Sequence, residues 1–128
     1  MADRKSLALV AEDTDLGRWA LTRALQAEGY DVRAASTWAE ASTWLLQAEF
    51  ALALVAVSSP GNAADVVACI RQYPHTHLVL LADEDSIREL RLACGPAPDI
   101  LAKPFDLERV GRVAFSHLGP GGETLGAT

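Results

Sequence analysis

Three charged residues have types and spacing that could do chemistry together. Glu12 and Asp13 are adjacent acids near the start of the chain, and Lys103 precedes a proline near its end. Hard divalent cations bind carboxylate oxygens, and phosphate binds a point positive charge, so these residues could hold a cation and an anion. The alternative is that the two acids only stabilise the N-terminus of a following helix and that the lysine is solvated.

The elements that must position these residues can be predicted from hydropathy patterns. Short apolar runs indicate strands buried on both faces, whereas apolar residues on one side of a 3.6-residue period indicate helices. The predicted strands are residues 6–11, 30–35, the apolar start of 51–62, 78–82 and 100–101. The predicted helices are residues 15–28, 37–47, 63–72, 86–94 and a last helix that Asp106 caps and that runs to His117.

Five strands that alternate with five helices predict an α/β fold, a parallel sheet with helices on both faces. The length suits the flavodoxin-like strand order 2-1-3-4-5, in which ligands bind at the carboxyl ends of the strands. Glu12 and Asp13 follow the first predicted strand, Ser58 and Ser59 the third, and Lys103 the fifth. The acids and the lysine are therefore expected at one edge of the sheet.

Composition narrows the class of protein. The chain has 128 residues, half of them hydrophobic, which is enough for one compact domain, here residues 1–118. The Gly-rich residues 119–128 are expected to be a flexible tail or a truncated linker. A net charge of −6 disfavours nucleic acid and anionic membranes as direct partners. Two cysteines and the lack of a signal or membrane-spanning segment favour a cytoplasmic location.

Two segments carry a family resemblance. "LVAEDTDLGRWALTRALQAEGYDV" (9–32) resembles the start of a response-regulator receiver domain of two-component signalling, with the acid pair in register. "ILAKPFDLERV" (100–110) resembles its end, where Lys-Pro-Phe follows the fifth strand. The resemblance covers roughly residues 6–118 and implies the (βα)5 receiver fold.

The resemblance also implies where a phosphoryl group would be accepted. In receiver domains an aspartate at the end of the third strand, four residues before a proline, is the acceptor, and counting back from Pro60 gives Ala56. A methyl group has no nucleophile, so the sequence predicts an atypical receiver, a pseudo-receiver without the phosphoacceptor aspartate.

Other positions of the family pattern differ too. Ala82 stands where the family has Thr or Ser, Asp83 where it has a very small residue, and Ile100 where it has an aromatic residue. The "GPAPDI" loop holds an extra residue. The predicted degenerate phosphorylation pocket comprises Glu12, Asp13, Ala56, Ala82, Asp83 and Lys103.

Metal binding and catalysis are not expected. Without a carboxylate at Ala56, Glu12 and Asp13 would bind Mg²⁺ weakly at best, and we predict no other cofactor. Lys103 is instead expected to form an ion pair with Glu12 or Asp13. Ser58 and Ser59 have no base to activate them, and no nucleophile–base pair or Gly-rich phosphate loop supports a hydrolase or a flavin enzyme.

The predicted function is a phosphorylation-independent regulatory module of bacterial signal transduction or transcription control. It would bind a protein partner or a second copy through the fourth helix, the fifth strand and the fifth helix. The candidate residues of that face are Arg88, Arg91, Ile100, Arg109 and Arg112. The alternative is a ligand-gated receiver that binds a small molecule in the vacated pocket.

Two tryptophans on predicted helices leave a question open. Trp19 lies nearly opposite Leu21, on the side of its helix where water would normally meet a polar residue. It therefore needs cover from its own neighbours or from a partner, and Trp44 presents the same choice.

Overall fold

The structure, a computed structural model, describes residues 6–58, 60–95, 99–103 and 107–116. Strands and helices alternate along the chain as β1 (Leu7–Ala11), α1 (Asp15–Ala27), β2 (Asp31–Ala35), α2 (Trp38–Trp44), β3 (Leu52–Ala56), α3 (Pro60–Ile70), β4 (His77–Asp83), α4 (Ile87–Cys94), β5 (Asp99–Lys103) and α5 (Leu107–Ser116). A short 3₁₀ helix, Glu84–Ser86, precedes α4.

The five strands form one parallel sheet in the order β2-β1-β3-β4-β5, which confirms the predicted fold class. The register pairs Ala11 of β1 with Val55 of β3, and Ala56 of β3 with Leu81 of β4. Asp83 of β4 pairs with Lys103 of β5. The carboxyl ends of four neighbouring strands therefore meet at one edge of the sheet, as the sequence predicts.

Alternation along the strands divides the core into two layers. In β3, Leu52 and Leu54 face the core beneath α1 and α5, while Ala53 and Val55 face the core beneath α2, α3 and α4. All four side chains are buried because helices cover both faces of the sheet. Consequently α1 and α5 lie on the face opposite α4.

Several boundaries differ from the sequence prediction. The second helix was expected over residues 37–47 but ends at Trp44, where the amides of Leu45, Leu46 and Gln47 bond to carbonyls three residues back instead of four. The third helix begins at Pro60 rather than Ala63, since a proline in the first turn loses no helical hydrogen bond. Pairing with β4 lengthens the fifth strand to five residues.

Some predictions fall outside the described residues. These are the site role of Ser59, the extra residue in the loop at 96–98, the proline and phenylalanine after Lys103, the Asp106 cap and the tail at 119–128. No helix within the described ranges combines the length and the apolar content needed to cross a bilayer.

Candidate functional site

The site is built around a buried carboxylate, that of Glu12. Glu12 directly follows β1, and its side chain is only 2% exposed. Its Oε2 atom accepts hydrogen bonds from the Thr14 backbone amide at 3.1 Å and the Thr14 hydroxyl at 2.6 Å. Its Oε1 atom accepts one from Lys103 Nζ at 2.8 Å. Both oxygens are thus bonded, which is what a buried charge requires.

The bond to Lys103 crosses the carboxyl edge of the sheet. Lys103 ends β5 and Glu12 follows β1, and β3 and β4 lie between those two strands. The two long side chains therefore meet across the carboxyl ends of β3 and β4, and Ala56 is the last residue of β3. This is the ion pair that the sequence suggested, with Glu12 as the partner. Asp13 is exposed, and its carboxylate bonds to no described side chain.

The ionisation of Glu12 follows from these contacts. Burial alone would raise the pKa of the Glu12 carboxyl. The hydrogen bonds from Lys103 and Thr14 and the charge of Lys103 outweigh burial, so the pKa lies below its ordinary value. The carboxylate is consequently anionic at neutral pH, and the pair is a true ion pair.

Thr14 and Gly17 connect this carboxylate to the start of α1. The Thr14 hydroxyl donates to Glu12 and accepts from the Gly17 backbone amide at 3.1 Å, so it also caps the helix. A Cβ atom at Gly17 would lie 2.6 Å from Thr14 Oγ1 and 2.8 Å from Glu12 Oε2. Only glycine fits there. Sequence analysis missed both residues, although a threonine immediately before a predicted helix is a recognisable cap signal.

Arg18 fixes the backbone of the same segment. Its guanidinium donates to the carbonyl oxygens of Glu12 at 2.9 Å and Asp13 at 3.2 Å, and it pairs with the Asp15 carboxylate. The loop between β1 and α1 is therefore stabilised by Thr14, which bonds to the Glu12 carboxylate, and by Arg18, which bonds to the loop's carbonyls. The carboxylate of Glu12 is committed to this local structure, whereas Asp13 takes part through its backbone carbonyl.

The remaining predicted pocket residues are distributed over both faces of the sheet. Ala56 is half-buried and packs against the core beneath α1 and α5. Asp83 is exposed and lies in register with Lys103. Ala82, 1% exposed, instead packs into the core beneath α2, α3 and α4. The structure thus gathers Glu12, Lys103, Ala56 and Asp83 at one edge but turns the methyl group of Ala82 away.

The described residues contain no group of three or more His, Cys, Asp or Glu side chains that could hold a metal ion. Both oxygens of Glu12 already accept hydrogen bonds, which leaves the exposed carboxylates of Asp13 and Asp83 as the nearby acids. Weak Mg²⁺ binding by Glu12 and Asp13 stays a prediction.

The predicted interaction face is only partly contiguous. Arg88 and Arg91 are exposed on α4, and Arg109 is exposed on α5. Ile100 in β5 is half-buried and packs against the core beneath α4. Arg112 lines a groove between α1 and α5.

His77 lies far from these residues. His77 was expected before the fourth strand but is the first residue of β4, where its Nε2 lies 2.8 Å from Asp99 Oδ2 at the start of β5. Because both residues begin their strands, this pair lies at the amino edge of the sheet. It is opposite the edge that carries Glu12.

Comparison with solved structures places this arrangement among known folds. The chemotaxis protein CheY4 of Vibrio cholerae is 26% identical, with a TM-score of 0.73 over 90% of this chain and 100% of that one. A response regulator from Thermotoga maritima is 23% identical, with a TM-score of 0.70 over 88% and 97% of the two chains. NtrX from Brucella abortus is 21% identical, with a TM-score of 0.75 over 89% of this chain and 27% of that one.

No protein-family model and no curated protein matches the chain. The likeness is therefore carried by the three-dimensional arrangement. Five parallel strands in the order 2-1-3-4-5 and the helices around them give the chain the receiver-domain fold of response regulators.

Proposed function

We propose that this chain is a phosphorylation-independent pseudo-receiver, a protein-interaction module of bacterial signal transduction or transcription control. The receiver fold supports a role in signalling. The observation that carries the rest is the pair between the buried Glu12 and the half-buried Lys103, 2.8 Å long, which spans the carboxyl ends of β3 and β4. The residues that would bind a phosphoryl group bind each other instead.

Phosphoryl transfer to this edge lacks each of its chemical requirements. Ala56 offers no oxygen to attack phosphorus. Ser58 is exposed but has no base among the described neighbours. The carboxylate of Asp83, in register with Lys103, would repel an incoming phosphoryl group. The module is accordingly proposed to have no enzymatic activity and no resident cofactor.

A fixed conformation follows from the same contacts. Removing Lys103 from Glu12 would leave a buried carboxylate without its cation, which costs about 3–5 kcal/mol in fully buried pairs and less here because Lys103 is partly exposed. The loop before α1 is also held by Thr14 and Arg18. The module therefore presents one surface to its partner continuously, and its output depends on its abundance and on that partner.

A ligand-gated receiver, the alternative from the sequence, is less well supported by these contacts. A small molecule above Ala56 would have to displace Lys103 from Glu12 or bind to a pair that is already neutralised. An anionic ligand would in addition meet the carboxylate of Asp83.

The proposal is tested with a small-molecule phosphodonor. The protein is incubated with phosphoramidate and Mg²⁺, and its intact mass is measured over time. We expect no phosphoryl adduct on the natural sequence. The matched variant Ala56→Asp supplies the missing acceptor at the same position, and an adduct confined to it would locate the defect there. A phosphoryl adduct on the natural sequence would contradict the proposal.

A further inference from the structure

The edge strand β5 is joined to the rest of the sheet by a side-chain contact at each of its ends. It has a neighbouring strand on one side only, because it is the last strand in the order β2-β1-β3-β4-β5. At its carboxyl end Lys103 bonds to Glu12. At its amino end Asp99 Oδ2 lies 2.8 Å from Nε2 of His77, the first residue of β4. A strand with few neighbours opens locally more easily than a central one, so these contacts matter for its order.

The contact between His77 and Asp99 is open to solvent protons. The side chain of His77 is 29% exposed and that of Asp99 is 55% exposed, whereas the Glu12 side chain at the other edge is 2% exposed. Because side chains alternate along a strand, His77 lies on the same side of β4 as Val79 and Leu81, which belong to the core under α1 and α5. The pair therefore lies at the rim of that core, where its protonation follows the pH of the solvent.

The two contacts of β5 differ in how their charges depend on pH. Imidazole is the side-chain group that ordinarily changes charge between about pH 5 and 8, whereas ammonium and carboxylate groups ordinarily keep theirs over that range. A protonated His77 forms a charged pair with the Asp99 carboxylate, and a neutral imidazole can donate only a weaker hydrogen bond. The contact at the amino end is therefore strong on the acid side of neutrality and is weakened as the pH rises.

The other charged groups around His77 come from several segments. β3 places the uncharged Leu52 in register with His77. On the side of the sheet that His77 faces, Glu28 follows α1, Arg112 lies in the second half of α5, and the Tyr30 hydroxyl donates to the Ala114 carbonyl. His75, two residues earlier and exposed, is the other histidine in the described part of the chain, so its effect has to be separated from that of His77 by substitution.

We propose that His77 holds the amino end of β5 through a pH-dependent ion pair with Asp99, more firmly below neutral pH than above it. The next residue of β5 is Ile100, which belongs to the predicted interaction face, so pH adjusts how firmly one end of that face is held. This inference goes beyond the proposed function, because the pair lies at the edge opposite Glu12 and involves no phosphoryl group. Either proposal can therefore fail while the other stands.

The first test is an NMR titration of the full chain from about pH 5 to 8. In the natural sequence, the amide signals of Asp99 and Ile100 should shift with the same midpoint as the ring signals of His77. These amide shifts should vanish in His77→Gln, which keeps a polar side chain that cannot charge, and should persist in the matched control His75→Gln. Amides of β5 that do not titrate, that titrate unchanged in His77→Gln, or that stop titrating in His75→Gln would overturn the proposal.

A double-mutant cycle measures the strength of the pair itself. His77→Gln, Asp99→Asn and the double variant are unfolded with urea at about pH 5.5 and about pH 8. At the lower pH the coupling should change the unfolding equilibrium constant about two- to fivefold, as for other exposed ion pairs, and it should be smaller at the higher pH.

The control cycle uses Arg33→Gln and Asp31→Asn, an exposed pair on the other edge strand in which neither partner is a histidine. Its coupling should be the same at both pH values. A coupling between His77 and Asp99 that is equal at the two pH values, or larger at the higher one, would contradict the proposal.

Discussion

The carboxylate of Glu12 is the buried charge around which the carboxyl edge of the sheet is organised. A carboxylate that is only 2% exposed is tolerated because Lys103 and Thr14 donate hydrogen bonds to both of its oxygens. With a methyl group at Ala56, that position supplies no carboxylate to compete with Glu12 for Lys103. The lysine is therefore a structural partner of Glu12.

Replacing Lys103 tests this role directly. We expect Lys103→Ala to lower the free energy of unfolding by about 1–3 kcal/mol, less than for a fully buried pair because Lys103 is 28% exposed. The matched control is Arg33→Ala, which removes the exposed pair with Asp31 and should change little. Chemical denaturation at neutral pH measures both, and equal small effects would refute a structural role for Lys103.

The pH dependence of stability gives a second readout of the same pair. The pKa of Glu12 is lowered in the folded protein, so its contribution is fully present above the ordinary carboxyl pKa and is lost as pH falls through the lowered value. In Lys103→Ala, burial is opposed only by Thr14, and the loss should begin at higher pH. Unfolding curves on the acid side that coincide for both proteins would contradict this expectation.

Gly17 is the residue on which a single methyl group should matter most. Gly17→Ala would push Cβ against Thr14 Oγ1 and Glu12 Oε2, and neither oxygen can retreat without breaking the cap or the buried carboxylate's bonds. We expect a loss of about 1–3 kcal/mol. Gly61→Ala in α3, where a Cβ meets nothing within 4 Å, is the control and should be neutral or slightly stabilising. Equal thermal shifts for the two variants would exclude crowding at Gly17.

At the scale of elements, α1 and α5 form one unit against the sheet. Leu21 and Leu25 of α1 and Val110 and Ala114 of α5 belong to the same buried cluster. The Tyr30 hydroxyl, at the end of the turn after α1, donates to the Ala114 carbonyl near the end of α5. Burial and the nearby charge of Glu28 raise the pKa of Tyr30, so its hydroxyl remains a donor at neutral pH.

Tyr30→Phe removes that donor while keeping the ring. We expect a loss of about 0.5–1.5 kcal/mol and faster amide hydrogen exchange in α5, because a buried carbonyl loses its partner. Tyr73→Phe is the control, since no hydrogen bond of the Tyr73 hydroxyl is found within the described residues. Exchange that rises uniformly over the sheet rather than in α5 would argue against a local tie.

The sequence predicts those elements whose positions follow from the local pattern of apolar residues. The order of strands and helices followed from apolar periodicity, and the approach of Lys103 to the acids followed from parallel topology. The length of the second helix did not, because the apolar pattern does not show that the hydrogen bonds after Trp44 tighten to carbonyls three residues back. Tyr30 and Ala114 are 84 residues apart, and nothing local marks them as partners.

At the scale of the whole molecule, the two faces of the sheet carry different surfaces. The side covered by α2, α3 and α4 exposes Arg88 and Arg91 on α4. The side covered by α1 and α5 exposes the aromatic side chains of Trp19 and Phe115. Between them, the carboxyl edge is closed by the pair of Glu12 and Lys103. A module of this kind would bind its partners through these two surfaces. The pair at the carboxyl edge would stabilise the fold by linking the segment after β1 to the end of β5.

The central claim is that this edge no longer binds a phosphoryl group, and an amide NMR titration tests it most directly. The protein is titrated with Mg²⁺ and then with beryllofluoride, which mimics a phosphoryl group on aspartate. We expect no saturable shift at the amides of Gly17, Ala56 and Lys103. Saturable shifts there that spread to α4 and α5 would contradict it, since the edge would then bind a ligand and transmit that binding to both faces.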